Sequence, residues 1–241
     1  MTKPIQLTMA YCGYAFLGVF FAGLLISGFF PPIPPDNTAA EVVDQYQREA
    51  DRIRAGCLIM IFAAGLTIPW CAVVSTQLVR VEGRFTPLCF AQLVCGAVGV
   101  LAVTVPMLVF SATAFRPDRD PEVTQALNDL AWFLFVMNWP FITAQATVIA
   151  VAILADGRPD PIFPRWVGYL QLWCAVLFIP AGLLTYFKTG PFAWNGLLSF
   201  WMAAVAFGVF MLVTTWATTR AVTRQFAPGN EASSTQVGPR A

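Results

Sequence analysis

The sequence contains no histidine and few charged residues. Its 241 residues include 14 Lys and Arg and 13 Asp and Glu, so 11% of the chain is charged, against about 25% in a typical soluble domain. So few charges could hardly cover the wet surface of a soluble fold of this length. The lack of histidine also removes the commonest metal ligand and the usual general base near neutral pH.

The net charge of +1 provides no basic surface for nucleic acid. The six cysteines lie in or beside apolar runs, and none forms a CxxC pair. This placement is typical of free thiols that pack as small core residues. We therefore expect no nucleic-acid partner, no metal and no cofactor.

Hydrophobic residues make up 58% of the chain, and the mean hydropathy is +0.67. Six apolar stretches are long enough to cross a hydrocarbon core of about 30 Å as helices. The first is too long for a signal peptide and precedes no small-residue cleavage site, so we interpret it as a retained span. The predicted fold is an all-α integral membrane bundle of six transmembrane helices. The spans run over about 7–30, 56–78, 87–114, 130–155, 166–187 and 192–215.

A short amphipathic helix is predicted after the first span, over about 38–54. Thr38 and Glu41 form a T-x-x-E capping box, and apolar residues then recur near helical spacing as far as Ile53. This helix could lie on the outer surface of the bundle or among headgroups, or it could cap a central opening or dock a partner. The membrane domain then covers 1–225, and the polar segment 226–241 is predicted to be a disordered cytoplasmic tail.

The loops indicate an orientation. Eight Lys and Arg residues lie on the side of the two termini and six on the other side, a modest bias under the positive-inside rule. It favours a cell-membrane protein with both termini in the cytoplasm.

No ionisable residue lies in the central part of any predicted span. Ion-coupled pumps, proton relays and intramembrane enzymes usually need one there. We therefore expect a protein that is not an enzyme. An enzyme acting on lipid would have to use the outer carboxylates Asp118, Asp120 or Glu122, for which local salt bridges and a helix start at Pro121 are the simpler interpretation.

Side-chain amides are the main polar groups inside the spans. Gln92 and Gln171 share a helix face with small residues, and their depth places them near Gln145, so the three could form one layer. Interhelical hydrogen bonds that hold the bundle together, worth about 0.6 kcal/mol each, are one interpretation. A polar lining for a ligand is the other.

Four prolines, Pro69, Pro106, Pro140 and Pro180, interrupt spans and predict kinks that could open a cavity. The segment from Asn138 through Trp139 to Phe141 combines an amide, aromatic rings and such a proline, so it is our first candidate for a ligand contact.

The leading hypothesis is a non-enzymatic membrane protein that binds or passes a neutral or apolar small molecule through an intramembrane cavity. The alternative is a structural or accessory subunit that self-associates or docks a membrane partner. Membrane lipid is expected to surround the chain in either case. The predicted ligand contacts are Asn138, Trp139, Gln145, Gln92 and Gln171.

Overall fold

The computed structural model describes residues 2–83 and 87–227, and all regular structure within these ranges is helical. Most of the predicted tail, from residue 228 onward, lies outside the described residues. Two short segments differ from α-helix: a 3₁₀ segment at Ile179–Tyr186 and a π-helical segment at Leu197–Trp201. The α-helices are α1 (Lys3–Ile26), α2 (Ala39–Glu82), α3 (Pro87–Phe115), α4 (Pro121–Val136), α5 (Trp139–Ala155), α6 (Arg165–Phe178) and α7 (Met202–Gln225).

Six spans in the described part of the chain are long and apolar enough to cross a membrane, so the predicted six-helix membrane bundle is confirmed. The fourth span consists of α4 and α5, and the fifth of α6 and the 3₁₀ segment. The sixth begins and ends later than the predicted 192–215, because residues 191–196 form turns before the π-helical segment and α7 continues to Gln225. We call the side of Lys3 and Gln225 proximal and the opposite side distal.

The prolines affect the spans unequally. Pro69 and Pro106 lie inside α2 and α3, each of which stays one continuous helix. Pro140 lies in the first turn of α5, directly after the break that separates α4 from α5. Pro180 lies where α6 changes to the tighter 3₁₀ segment. Two of the four predicted kinks therefore coincide with a break or a change in helix type.

The spans close into a ring. Each helix contacts the next in the order α1, α2, α3, α5, α6, α7, and α7 returns to α1. Helix α2 also contacts α4, α5 and α7, so it lies closest to the middle. A partly open cavity lies between the helices of this ring.

The predicted amphipathic helix is the first part of α2. Its capping box is confirmed, since the Glu41 backbone N–H donates to Thr38 Oγ1 at 3.3 Å and the Thr38 backbone N–H donates to the Glu41 carboxylate at 2.8 Å. With 44 residues, α2 is about 66 Å long at 1.5 Å per residue, which is twice the hydrocarbon thickness. The outer part packs on α4, where buried Tyr46 donates its hydroxyl to Asn128 Oδ1 at 3.2 Å. It is therefore an integral part of the distal side.

An aromatic cluster lies beneath this distal extension. The ring of buried Trp132 on α4 lies 5.4 Å from Phe29 and 5.1 Å from Phe110, and it stacks on Trp194 at 6.5 Å. The Trp194 indole N–H donates to the Ile33 carbonyl oxygen at 2.7 Å, which anchors the proline-rich segment after α1. This cluster fills the distal end of the bundle.

Glycine allows α1 and α2 to approach closely. A Cβ on Gly56 would lie 2.5 Å from both the Gly23 carbonyl oxygen and the Ser27 Cβ. Because one of these atoms belongs to the backbone, a side chain at position 56 would force the two helices apart. Small residues have this role in many membrane helix pairs.

We predict that Gly56→Ala destabilises the bundle by about 1–3 kcal/mol through overpacking and lowers its unfolding temperature in detergent. Gly65 on the same helix is the matched control, since a Cβ there meets no atom within 4 Å. Gly65→Ala should be neutral or stabilising by up to about 1 kcal/mol through helix propensity. Equal unfolding temperatures for Gly56→Ala and the wild type would contradict the close α1–α2 contact.

Candidate functional site

The ring of helices encloses a cavity of about 160 Å³ in the middle and distal half of the bundle. All six spans contribute to its wall. None of the lining residues is charged. The cavity is therefore an apolar space with a few neutral polar groups.

Phenylalanine rings form much of the wall. On α1, Phe16 and Phe20 are one helical turn apart and stack at 5.3 Å. Phe207 on α7 meets both rings, at 5.9 Å from Phe16 and 6.3 Å from Phe20. Phe210 lies 6.1 Å from the ring of Trp70. These interlocked rings limit how far the wall can collapse into the space.

Helix α3 contributes small residues to the wall. A Cβ on Gly96 would lie 2.3 Å from the sulfur of Cys71, so glycine is needed for α2 to approach here. One turn further along α3, a Cβ on Gly99 would meet no atom within 4 Å. Gly99 therefore faces empty space in the cavity wall.

Asn138 and Trp139 both line the cavity, at the break between α4 and α5. The Asn138 amide N–H₂ donates to the Phe135 carbonyl oxygen at 2.7 Å and to the Ala102 carbonyl oxygen at 3.3 Å. It thereby satisfies a carbonyl that the helix break would leave unpaired. The indole of Trp139 packs closely on the 3₁₀ segment, where a Cβ on Gly182 would lie 2.8 Å from Nε1.

Gln145 lines the cavity two turns further along α5. It is only 5% exposed, and its Nε2 donates to the sulfur of Cys71 at 3.8 Å. Asn138, Trp139 and Gln145 thus lie in the same cavity wall, as the hypothesis of a ligand site requires. Whether they contact a ligand stays a prediction.

Gln92 and Gln171 do not line the cavity. Gln92 is fully buried and accepts a hydrogen bond from the Ser75 hydroxyl. Gln171 is also fully buried and donates to Thr214 Oγ1 at 2.8 Å. Of the proposed amide layer, Gln92 and Gln145 both approach the sulfur of Cys71, whereas Gln171 pairs separately. The geometry of Gln92 and Gln171 favours helix association, the other interpretation of these amides.

Charged groups lie away from the cavity. Asp156, at the proximal end of α5, is the only buried charged side chain within residues 2–81 and 87–227. Its carboxylate accepts from the backbone N–H of Arg158 at 3.2 Å and of Ile162 at 3.0 Å, which orders the loop before α6. In the distal loop, Asp120 caps the start of α4 by accepting from the Glu122 backbone N–H at 3.0 Å, so the predicted helix start at Pro121 is confirmed.

The sequence did not reveal the aromatic wall. Its phenylalanines lie among many other apolar residues in the spans. The i, i+4 pair Phe16 and Phe20 was a signal, because two large rings on one face of an apolar helix favour an inward contact. As predicted, none of the six cysteines is disulfide-bonded, and four of the six are buried, including Cys71 beside Gln145.

We predict that Gln171 stabilises the bundle through its contact with Thr214 and has no part in the cavity. A double-mutant cycle of Gln171→Leu and Thr214→Val should give a coupling free energy of about 0.6 kcal/mol, the average for hydrogen bonds between membrane helices. Reversible unfolding in detergent measures it. The same cycle on Gln171 and Ser75, which belong to different contacts, is the control and should give a coupling near zero. A coupling free energy near zero for Gln171 and Thr214 would show that their hydrogen bond does not stabilise the bundle.

The chain matches no protein-family model, no curated protein and no solved structure. Its function therefore has to be inferred from the geometry of the cavity.

Proposed function

We propose that the protein binds a neutral, mainly apolar small molecule in the cavity between its membrane helices, without changing it chemically. The observation that carries this proposal is the uncharged cavity of about 160 Å³ whose wall includes Asn138, Trp139 and Gln145. Ligand sites are commonly apolar pockets with a few placed polar groups. The size is close to the roughly 150 Å³ of an engineered apolar cavity that holds benzene.

The uncharged wall supports a neutral ligand. A charged molecule would lose its hydration in this space and would meet no opposite charge, which is costly at low dielectric. The same wall supports a binding role over catalysis, since hydrolytic and proton-transfer chemistry would require an activated nucleophile, a metal or a paired acid and base.

The position of Phe141 supports entry from the lipid. This lining residue is 46% exposed, so one edge of the cavity reaches the lipid-facing surface of the bundle. On the proximal side, the Trp70 indole N–H donates to Thr215 Oγ1 at 2.8 Å and Gln171 pairs with Thr214. These contacts tie helices together below the cavity, which favours binding over passage across the membrane.

The proposal predicts that a side chain at Gly99 blocks the cavity. Gly99→Leu should fill space that a ligand would use, so the affinity for a probe such as p-xylene should fall at least about tenfold, which is 1.4 kcal/mol. The fold should stay as stable as the wild type or gain stability. Equilibrium dialysis between protein-containing and protein-free micelles measures the affinity and corrects for partition into detergent.

Gly65→Leu is the matched control, because Gly65 is exposed, lies outside the cavity and also has open space around its Cβ. It should bind p-xylene like the wild type. If neither the wild type nor Gly65→Leu binds p-xylene above the micelle background, the proposed function is wrong. A stoichiometric protein partner recovered after mild detergent extraction would then favour a structural subunit.

A further inference from the structure

The wall of the cavity contains polar atoms whose hydrogen-bonding capacity is unused. Gln145 uses its Nε2 on the sulfur of Cys71, and no described residue donates to its Oε1. The side chain is 5% exposed and lines the cavity. A buried amide oxygen without a donor is unfavourable, and this one can gain a donor from a molecule that occupies the cavity.

A second set of unused atoms lies at the start of α5. Both hydrogen bonds that Asn138 donates go to backbone carbonyl oxygens, which leaves Oδ1 without a donor in the described part of the chain. The neighbouring Trp139 indole N–H has no acceptor among those residues. This end of the wall therefore offers one acceptor and one donor, which is the complement of a hydroxyl group.

The two sets lie on the same side of the α5 axis. Asn138, which directly precedes α5, and Gln145 are seven residues apart, so their Cα atoms are separated by about 10 Å along the axis. If the two amide oxygens keep this spacing, a molecule that bridges them with hydrogen bonds of about 2.8 Å needs roughly 5 Å between its own polar atoms. That distance is close to the separation of substituents at opposite positions of a six-membered ring.

We propose that the cavity binds a six-membered aromatic ring with hydroxyl groups at opposite positions, the headgroup of a hydroquinone-type molecule. This inference rests on the proposed function and names its ligand class. One hydroxyl donates to Gln145 Oε1. The other donates to Asn138 Oδ1 and accepts from the Trp139 indole N–H, and the ring stacks against the aromatic wall. Any apolar tail leaves past the exposed edge at Phe141 into the lipid.

The oxidation state of the ring follows from the same atoms. A hydroquinone provides the two donors that the two amide oxygens lack. The corresponding quinone has only acceptors, so it pairs with Trp139 alone and leaves both amide oxygens unsatisfied. With the amides in this orientation, the site favours the reduced form over the quinone.

Three probes of nearly equal shape test this inference: p-xylene, p-cresol and hydroquinone, which have no, one and two hydroxyl groups in place of methyl groups. Equilibrium dialysis is carried out without oxygen and with ascorbate, so that hydroquinone stays reduced. After correction for micelle partition, the affinity of the wild type should rise at least about fivefold for each hydroxyl, since each makes at least one net hydrogen bond. In Gln145→Leu, hydroquinone should bind no better than p-cresol binds the wild type, whereas p-xylene binding should be unchanged.

The control is Gln171→Leu, which removes a buried amide outside the cavity and should keep the wild-type order of the three probes. Trp139→Phe tests the other end and should weaken p-cresol and hydroquinone but not p-xylene. Unfolding temperatures show whether each variant is folded. If Gln145→Leu does not fold, Gln145→Asn replaces it in the test. Equal affinity for the three probes, or an unchanged order in the Gln145 variant, would overturn the hydroquinone inference while p-xylene binding upholds the proposed function. Failure of all three probes would overturn both.

Discussion

Lipid offers no hydrogen bonds, so each polar group inside the bundle has to find its partner within the protein or in a bound molecule. Most of the fold follows this constraint. Asn138 provides donors where α4 and α5 break, Trp70 bonds to Thr215, and Gln171 bonds to Thr214. The Trp70 and Gln171 contacts join elements that are distant in sequence, so satisfying these polar groups also fixes the position of a helix.

The pairing is incomplete at Gln145 in the cavity wall and at four buried atoms outside the cavity, Gln92 Nε2, Trp132 Nε1, Gln171 Oε1 and Thr218 Oγ1. At Gly96 and Gly99, α3 has no side chain where it faces the centre of the bundle. On the opposite wall, Phe16 and Phe207 hold each other in place by an edge-to-face contact. The α3 side has no side chains at these positions to fill the space, and the rings on the opposite side hold each other in place, so the cavity does not collapse. The unused oxygen of Gln145 therefore faces the cavity instead of reaching a protein donor.

Much of the fold could be predicted from the sequence, because composition and hydropathy depend on residue type alone. The capping box at Thr38 and the helix start after Asp120 were also predictable, since both depend on contacts within one turn. Span ends were less accurate. The sixth span starts after the turns that precede the π-helical segment and ends at Gln225, later than predicted. The residues of these turns are largely apolar, so the sequence gives no local signal for where the helix starts. The fourth span also divides at Asn138, in a stretch that is apolar throughout.

The sequence by itself determined that the chain forms six helices long and apolar enough to cross a membrane, and that amides are the main polar groups among them. Helical periodicity could place Gln92 and Gln171 on faces with small residues, but it could not give the order of the helices around the ring or the rotation of each about its axis. Only the tertiary structure decided that Gln145 opens into the cavity while Gln171 pairs with Thr214. Contacts between helices set rotation and order, and these contacts join residues that are far apart in the chain.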